Sequence, residues 1–156
     1  MAFLRASLAV LETLEPAVAR FLPEHTGPSR VDALASDLAS LDVAGPDAAV
    51  VTPTIANLAD AYGAAYVMEG SALGGMVLAR RVDAGLSLGG RSLRYLTLRG
   101  TETGTAWKRF IAELDTWGRT ASPAERARSI DVAIATFAAY ADACAKYGAI
   151  TPSCES

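Results

Sequence analysis

The sequence has few of the residues that usually carry metal or nucleophile chemistry. Its 156 residues include one histidine, His25, and two cysteines, Cys144 and Cys154. The cysteines form no Cys-x-x-Cys pair, and no second cluster offers metal ligands, so a zinc or iron–sulfur site is not indicated. We expect Cys144 to lie on a buried helical face and Cys154 in a tail, both as free thiols.

Clusters of positive charge and long apolar runs are also missing. The net charge is −3, and basic residues occur only in isolated pairs such as Arg80–Arg81, which argues against nucleic-acid binding. Asn57, Asp60 and Glu69 interrupt the windows that would be long enough to span a bilayer. The first residues lack the apolar run and cleavage site of a signal peptide. We therefore expect no nucleic-acid partner, no membrane association and a cytoplasmic location.

Sequence motifs of two common enzyme classes are absent as well. The chain has no phosphate-binding loop and no His-Glu-x-x-His motif. What it does have is apolar residues at 51 % and charged residues at 20 %, with alanine dominant. This composition and length predict a single all-α domain over residues 1–156, built as a helical bundle.

Apolar residues at a spacing of three and four predict the helices. The first covers 3–22 and is kinked or restarted at Pro16. Ser29 is a suitable N-cap for the second, and Ser122 with Glu125 forms a capping box that starts the last one, which Gly148 ends. The helices predicted after the first cover 29–41, 54–82, 107–117 and 123–147, and Thr54 is the predicted cap of the helix over 54–82. Loops are predicted over 42–53 and 83–104.

The same spacing predicts which side chains face the core. The residues expected to face inward are Leu58, Tyr62, Ala65 and Tyr66 on the central helix, and Ile130, Ile134, Phe137, Ala141 and Cys144 on the last helix.

The central helix carries an unusual set of glycines between residues 64 and 81. Gly70, Gly74 and Gly75 lie inside it, and each costs about 1 kcal/mol relative to alanine. A helix surface without side chains allows close approach of another object. That object is either a neighbouring helix of the same chain or a flat ligand lying on the backbone, and the pattern leaves both possible.

The stretch from Tyr66 to Gly75, YVMEGSALGG, resembles the distal-helix motif of bacterial haem oxygenases. It is most similar to the kind associated with bacteriophytochromes. The resemblance implies a haem-oxygenase-like helical bundle in which the glycines lie over the face of the haem. It also implies a ligand-binding site formed by Tyr66, Gly70, Ser71, Gly74 and Gly75, with haem as a possible cofactor.

The resemblance also implies an iron-ligating histidine on a first helix, and this sequence departs from the family there. Residues 3–22 resemble the second helix of such proteins, so we expect the chain to begin one helix late. His25 lies in a Pro- and Gly-bounded connector and is disfavoured as a ligand, so we expect a solvated loop histidine. Phenolate or thiolate ligation is an alternative to a core position for Tyr62, Tyr66, Tyr95, Tyr140, Tyr147 and Cys144. The candidates for binding propionates, against a solvated face, are Arg91, Arg94, Lys108 and Arg109.

Three functions follow as expectations. The chain binds a tetrapyrrole without turnover, or it serves as a regulatory module that binds a signalling protein, and both rank above catalysis. The alternative is an active haem oxygenase that makes biliverdin, carbon monoxide and iron with an unconventional axial ligand. A groove left open by a missing helix would also favour a homodimer.

Overall fold

The computed structural model describes residues 1–25, 27–86 and 93–149. These ranges contain the α-helices α1 Ala2–Ala19, α2 Arg30–Ser40, α3 Leu58–Leu86, α4 Thr103–Thr120 and α5 Pro123–Lys146, and the short 3-10 helices Pro23–His25 and Gly100–Glu102. No strand occurs in them, which confirms the all-α prediction. None of the helices in these ranges has both the length and the apolar composition of a membrane span.

Three of the predicted helix ends are confirmed, at Ser29, at Ser122 with Glu125, and at Gly148. The side chain of Ser29 accepts a hydrogen bond from the backbone N–H of Asp32, which starts α2. Ser122 and Glu125 form the reciprocal capping box, with Pro123 in the first turn of α5. Gly148 follows α5 with a φ of +71°, a left-handed conformation that glycine adopts without strain.

The first helix continues through Pro16 without a restart, which costs the bond that an N–H there would donate, and it ends at Ala19 rather than at residue 22. Both predicted ends of the central helix are wrong. The central helix starts at Leu58, not after Thr54, because the side chain of Asn57 accepts from the backbone N–H of Asp60. It continues to Leu86 rather than to residue 82.

Helices α3 and α5 form the centre of the bundle and run in the same direction. Asp60 pairs with Arg128, and Gly63 contacts the backbone of Ser129 and Ala133 one turn further on. Helix α1 packs against α2 and α5, and α4 lies along α3. The largest fully buried side chains of the core come from α1, α2 and α4, namely Leu11, Leu14, Leu34 and Phe110.

The predicted inward face of α5 is wrong for most of its members. Ile130, Ile134 and Phe137 are exposed, and Ala141 is exposed too. The buried side of α5 consists of smaller residues, among them Val132, Thr136, Ala139 and Ala143, with Cys144 as predicted. The reason is the close approach at Gly63, which leaves no room for bulky side chains between α3 and α5.

The inward face of the central helix is partly as predicted. Tyr62 and Ala65 are buried, but Leu58 and Tyr66 are exposed. The described part of the 83–104 segment contains turns and the Gly100–Glu102 helix, as expected for a loop with a short helix. Arg91 and Cys154 lie outside the described residues.

Candidate functional site

One face of α3 is apolar and open to solvent. It is made of residues at helical spacing, and we call it the α3 glycine face: Tyr66, Gly70, Leu73, Gly74 and Val77. Val77 is 53 % exposed and Tyr66 is 40 % exposed. A Cβ atom placed on Gly74 would meet no atom within 4 Å, so nothing in the described chain requires a glycine there. Backbone that is bare and open in this way is available to a flat ligand.

A cavity of about 330 Å³ adjoins this face, and we call it the glycine cavity. It is lined on α3 by Ser71, Gly74 and Gly75, and on the other side mainly by Tyr95 and Leu96. A Cβ atom on Gly75 would lie 3.0 Å from the carbonyl oxygen of Leu96, so close backbone packing explains that glycine. Gly74 therefore lies at the edge that the glycine face and the cavity share. The volume of the cavity is at the low end of the range for ligand pockets.

Two arginines form a polar wall of the glycine cavity, Arg30 from α2 and Arg99 from the segment before α4. Glu69, only 3 % exposed, accepts hydrogen bonds from both guanidinium groups, with Arg30 Nη2 at 2.6 Å from Glu69 Oε1. Glu15 lies 3.6 Å from Arg30 and also accepts from the backbone N–H of Arg30 at 2.8 Å.

The charges in this wall balance, because two carboxylates face two guanidinium groups. Burial lowers the pKa of Arg30, but Glu69 and Glu15 outweigh burial and raise it above its usual value. Both arginines stay charged and already have counter-ions. A carboxylate entering the cavity would have to compete with Glu69 for them.

Hydroxyl groups form the other polar part of the cavity. Burial raises the pKa of Tyr95 above its usual value, so this residue is a neutral phenol. Its hydroxyl interacts with those of Ser7, Ser71 and Tyr140. Within the described residues, Ser7 Oγ and Tyr140 Oη are buried without a hydrogen-bond partner of good geometry. The cluster supplies the polar partners that one ordered water or a polar ligand atom would need.

The sequence-predicted site residues divide between two neighbouring surfaces. Ser71, Gly74 and Gly75 line the glycine cavity. Tyr66 lies on the α3 glycine face and does not line the cavity, and its ring is 5.5 Å from that of Trp107. Gly70 also faces Trp107, at ordinary contact distance for an added Cβ. Only Gly74 belongs to both surfaces.

His25 is buried rather than solvated, which corrects the expectation for this residue. Its Nε2 lies 2.6 Å from Glu113 Oε2, and its ring contacts Phe110 edge-on at 5.3 Å. The imidazole is therefore held between the first connector and α4. It is not among the residues that line the glycine cavity.

Among the other possible iron ligands, Tyr66 belongs to the glycine face and Tyr95 lines the glycine cavity, whereas Tyr62, Tyr140, Tyr147 and Cys144 do neither. Burial raises the pKa of Tyr62, Tyr140 and Cys144, so these groups are neutral. The hydroxyl of Tyr147 donates to the carbonyl of Ala48. Among the described residues, no group of three or more His, Cys, Asp or Glu side chains could hold a metal ion.

These observations test the fit of a haem. The bare backbone at Gly74 and the apolar side chains around it suit a flat macrocycle. The donor set does not suit its iron, because no imidazole or thiol of the described chain lies on the glycine face, and the phenol that does, Tyr66, packs its ring against Trp107. The surface therefore fits the ring of a tetrapyrrole but not axial ligation.

Three of the predicted propionate-binding residues, Arg94, Lys108 and Arg109, are described by the structure and are exposed. Arg94 donates to Ser36 Oγ at 2.8 Å and lies at the N-terminal end of the segment that borders the cavity. Lys108 and Arg109 are exposed on α4, directly after Trp107. Their role in binding carboxylates stays a prediction.

Sequence reasoning missed Arg30, Glu69 and Arg99. Each looks like an ordinary polar residue of a helix or loop, and they meet only because α2, α3 and the segment before α4 converge. The one available signal was Glu69, a carboxylate in the middle of the glycine motif of α3.

Comparison with known proteins gives one informative similarity. The chain is 40 % identical over 112 residues to a protein of Xanthomonas campestris pv. campestris (strain 8004) named "Heme oxygenase". The match covers 70 % of this chain and 63 % of that protein, so the chain spans less than two thirds of its relative. No family model matches, and no solved structure matches. The similarity supports the relationship to the haem-oxygenase-like family that the motif from Tyr66 to Gly75 indicated.

Proposed function

We propose that this chain is a haem-oxygenase-like protein of the bacteriophytochrome-associated kind, which binds a tetrapyrrole on the α3 glycine face and does not cleave haem in the standard way. The similarity to a named heme oxygenase supports a tetrapyrrole as the ligand class. The polar residues around the face suggest which part of such a ligand binds where.

The observation that carries the proposal is the open backbone at Gly74. A helical glycine costs about 1 kcal/mol relative to alanine, and no neighbour in the described chain accounts for this one. Leu73 and Val77 beside it are exposed apolar side chains. A flat apolar ring lying on this face would cover both side chains and would use the absence of a Cβ atom.

The arrangement of charges suggests how the ligand is oriented. Because Glu69 and Glu15 already neutralise Arg30 and Arg99, the glycine cavity favours an uncharged polar edge, close to the hydroxyls of Ser71 and Tyr95. The carboxylate side chains of the ligand would then point toward solvent and toward the exposed cations of α4. A tetrapyrrole without iron, such as biliverdin, satisfies this arrangement as well as haem does.

The proposed lack of haem cleavage follows from the lack of an axial ligand for the iron. A haem oxygenase holds its iron by an axial ligand, and the single imidazole of this sequence is bound to Glu113 and does not line the glycine cavity. Without a ligand on the side facing the glycines, the described chain has no means to fix the iron over them.

Optical titration with haemin and with biliverdin tests the proposal. We expect both to bind, and we expect Gly74→Leu to raise both dissociation constants at least about tenfold, because the side chain fills the place of the ring. Gly118→Leu is the matched control, since Gly118 is also a helical glycine with open space around its Cβ position, away from the cavity. Equal binding by the Gly74→Leu variant and the wild-type protein would show that the ligand lies elsewhere.

The similarity to a protein named "Heme oxygenase" favours one alternative, an active haem oxygenase with an unconventional ligand. Haemin-loaded protein mixed with ascorbate in air, with catalase present to remove free peroxide, distinguishes the two. Conversion of the Soret band to a biliverdin spectrum would establish the enzyme, and a stable Soret band would support the non-catalytic binder. Spectra unchanged from free haemin would favour a module that binds a signalling protein instead.

A further inference from the structure

A second exposed apolar surface runs along α5. Its residues are spaced three and four apart, and we call them the α5 seam: Ala127, Ile130, Ile134, Phe137 and Ala141. The three large side chains are 59 %, 62 % and 57 % exposed in chain order. All five positions are exposed, so α5 carries its two isoleucines and its phenylalanine on the solvent side and mainly smaller residues on its buried side.

We propose that the α5 seam pairs with the same seam of a second copy of this chain, which makes the protein a homodimer. The inference rests on the spacing, exposure and charge of α5 and on the groove beside it, which shares Tyr66 with the α3 glycine face.

The spacing of the seam identifies a helix as its partner. Steps of 3, 4, 3 and 4 residues average 3.5, which is the period that keeps a stripe facing another helix over several turns. The seam spans 15 residues, about 21 Å along the axis. Its three large residues are flanked by an alanine at each end, so each copy offers both knobs and holes.

A recess beside the seam adds to this complementarity. A groove of about 280 Å³ lies between the large seam residues and the side chains of Tyr66 and Leu114. Its floor includes Gly63, where α3 and α5 approach most closely. A bulky side chain from a second copy can insert there as a knob into a hole.

The charge around the seam favours a second copy over a partner of another kind. Between Ala127 and Ala141 the exposed part of α5 carries only Arg128 and Asp131, and Arg128 is already paired with Asp60. Two such faces meet without strong repulsion of like charges. A strongly acidic or basic partner would find no complementary charge to recognise.

The size of the surface sets the expected affinity of the dimer. A half-exposed side chain of phenylalanine size offers about 100 Å². The three large seam residues, the alanines and Tyr66 therefore provide about 400–500 Å² on each copy, and pairing removes about 800–1,000 Å², the size of a weak or transient interface. We thus expect a dimer of weak to moderate affinity.

Sedimentation equilibrium over a range of protein concentrations tests this inference. We expect the wild-type protein to dimerise and Ile134→Glu to raise the dissociation constant about 100-fold, tenfold for each of the two copies. Ala135→Glu is the matched control, because it adds the same charge at the next residue, which is exposed but off the seam. Circular dichroism shows whether each variant keeps its helices.

The outcomes are distinct. A wild-type protein that stays monomeric throughout would overturn the inference, and so would a folded Ile134→Glu variant that dimerises like the wild type. Loss of the dimer in Ile134→Glu but not in Ala135→Glu would support it. Titration with biliverdin on the same samples reports tetrapyrrole binding separately, so failure of one proposal is not confused with failure of the other.

Discussion

The two halves of α3 use glycine in opposite ways. In the first half, residues 58–69, Gly63 lies so close to α5 that an added Cβ atom would overlap the carbonyl oxygen of Ser129. In the second half, Gly74 has no neighbour within 4 Å of the same position. The first glycine is explained by packing inside the chain, and the second is not.

This difference shows how a glycine required by the fold can be told from one available for function. The first half is almost fully buried and contributes Tyr62, Ala65 and Met68 to the core. The second half exposes Leu73, Val77 and Leu78 to solvent. Glycine lowers the stability of a helix, and no packing contact within the chain requires it at Gly74. The bare backbone there is therefore available to an external partner.

The largest expected effect concerns Glu69, the last residue of the buried half. Glu69→Gln removes the charge that compensates Arg30 and Arg99, and we expect it to lower the free energy of unfolding by about 3 kcal/mol. Urea denaturation followed by circular dichroism measures the change. Glu12→Gln on the exposed side of α1 is the control, with an expected change within about 0.5 kcal/mol. Similar values for the two variants would mean that the buried network does not stabilise the wall of the cavity.

The next largest effect tests the packed glycine directly. Gly63→Ala forces α3 and α5 apart at a backbone contact, and we expect a loss of about 2–3 kcal/mol in the free energy of unfolding. The same denaturation experiment measures it. A neutral or stabilising result would contradict the close packing of these two helices.

The open glycine should respond in the opposite direction. Gly74→Ala meets no atom, so we expect it to stabilise the protein by about 1 kcal/mol through the higher helix propensity of alanine. Gly75→Ala provides the contrast one residue later, because its Cβ atom would press on the carbonyl oxygen of Leu96 at 3.0 Å and should cancel the gain. If both substitutions stabilise equally, the cavity wall at Leu96 is free to move.

The smallest effect is a pH dependence at the start of the buried half. Burial opposes ionisation of Asp60, but hydrogen bonds from Arg128 and from the backbone N–H of Ala56 outweigh it and hold the pKa of Asp60 below its usual value. A lowered pKa stabilises the folded state above the unfolded value, near 4, and this contribution is lost as the pH falls through the folded pKa. We therefore expect thermal unfolding of Asp60→Asn and of the wild type to differ at pH 7 and to converge below about pH 4. A constant difference between pH 7 and pH 3 would argue against an ionised Asp60.

Much of the fold could be predicted because its signals are local. The capping box at Ser122 and Glu125 depends only on neighbouring residues, and so does the glycine that ends α5. The start of α3 was predicted at the wrong cap, Thr54. The residue that caps this helix is Asn57, whose side chain accepts from the N–H of Asp60, and Arg128 from another helix holds Asp60 in place.

The orientation of α5 could not be predicted for a different reason. Its sequence offers two apolar faces, one of Ile130, Ile134 and Phe137 and one of smaller residues, and periodicity alone favours the bulkier one. The close contact at Gly63 selects the smaller face, because large side chains do not fit between backbones so close together. The site shows the same pattern, since the glycine motif was visible in the chain but its arginine wall was not.

The sequence by itself determined the helical architecture, most helix ends and the bare stretch of α3, because capping, periodicity and glycine content are properties of neighbouring residues. Only the tertiary structure decided which of those glycines is packed and which is open, where His25 is bound, and how Arg30 and Arg99 share Glu69. Those outcomes depend on distances between residues far apart in the chain, and such distances are set by how whole helices pack.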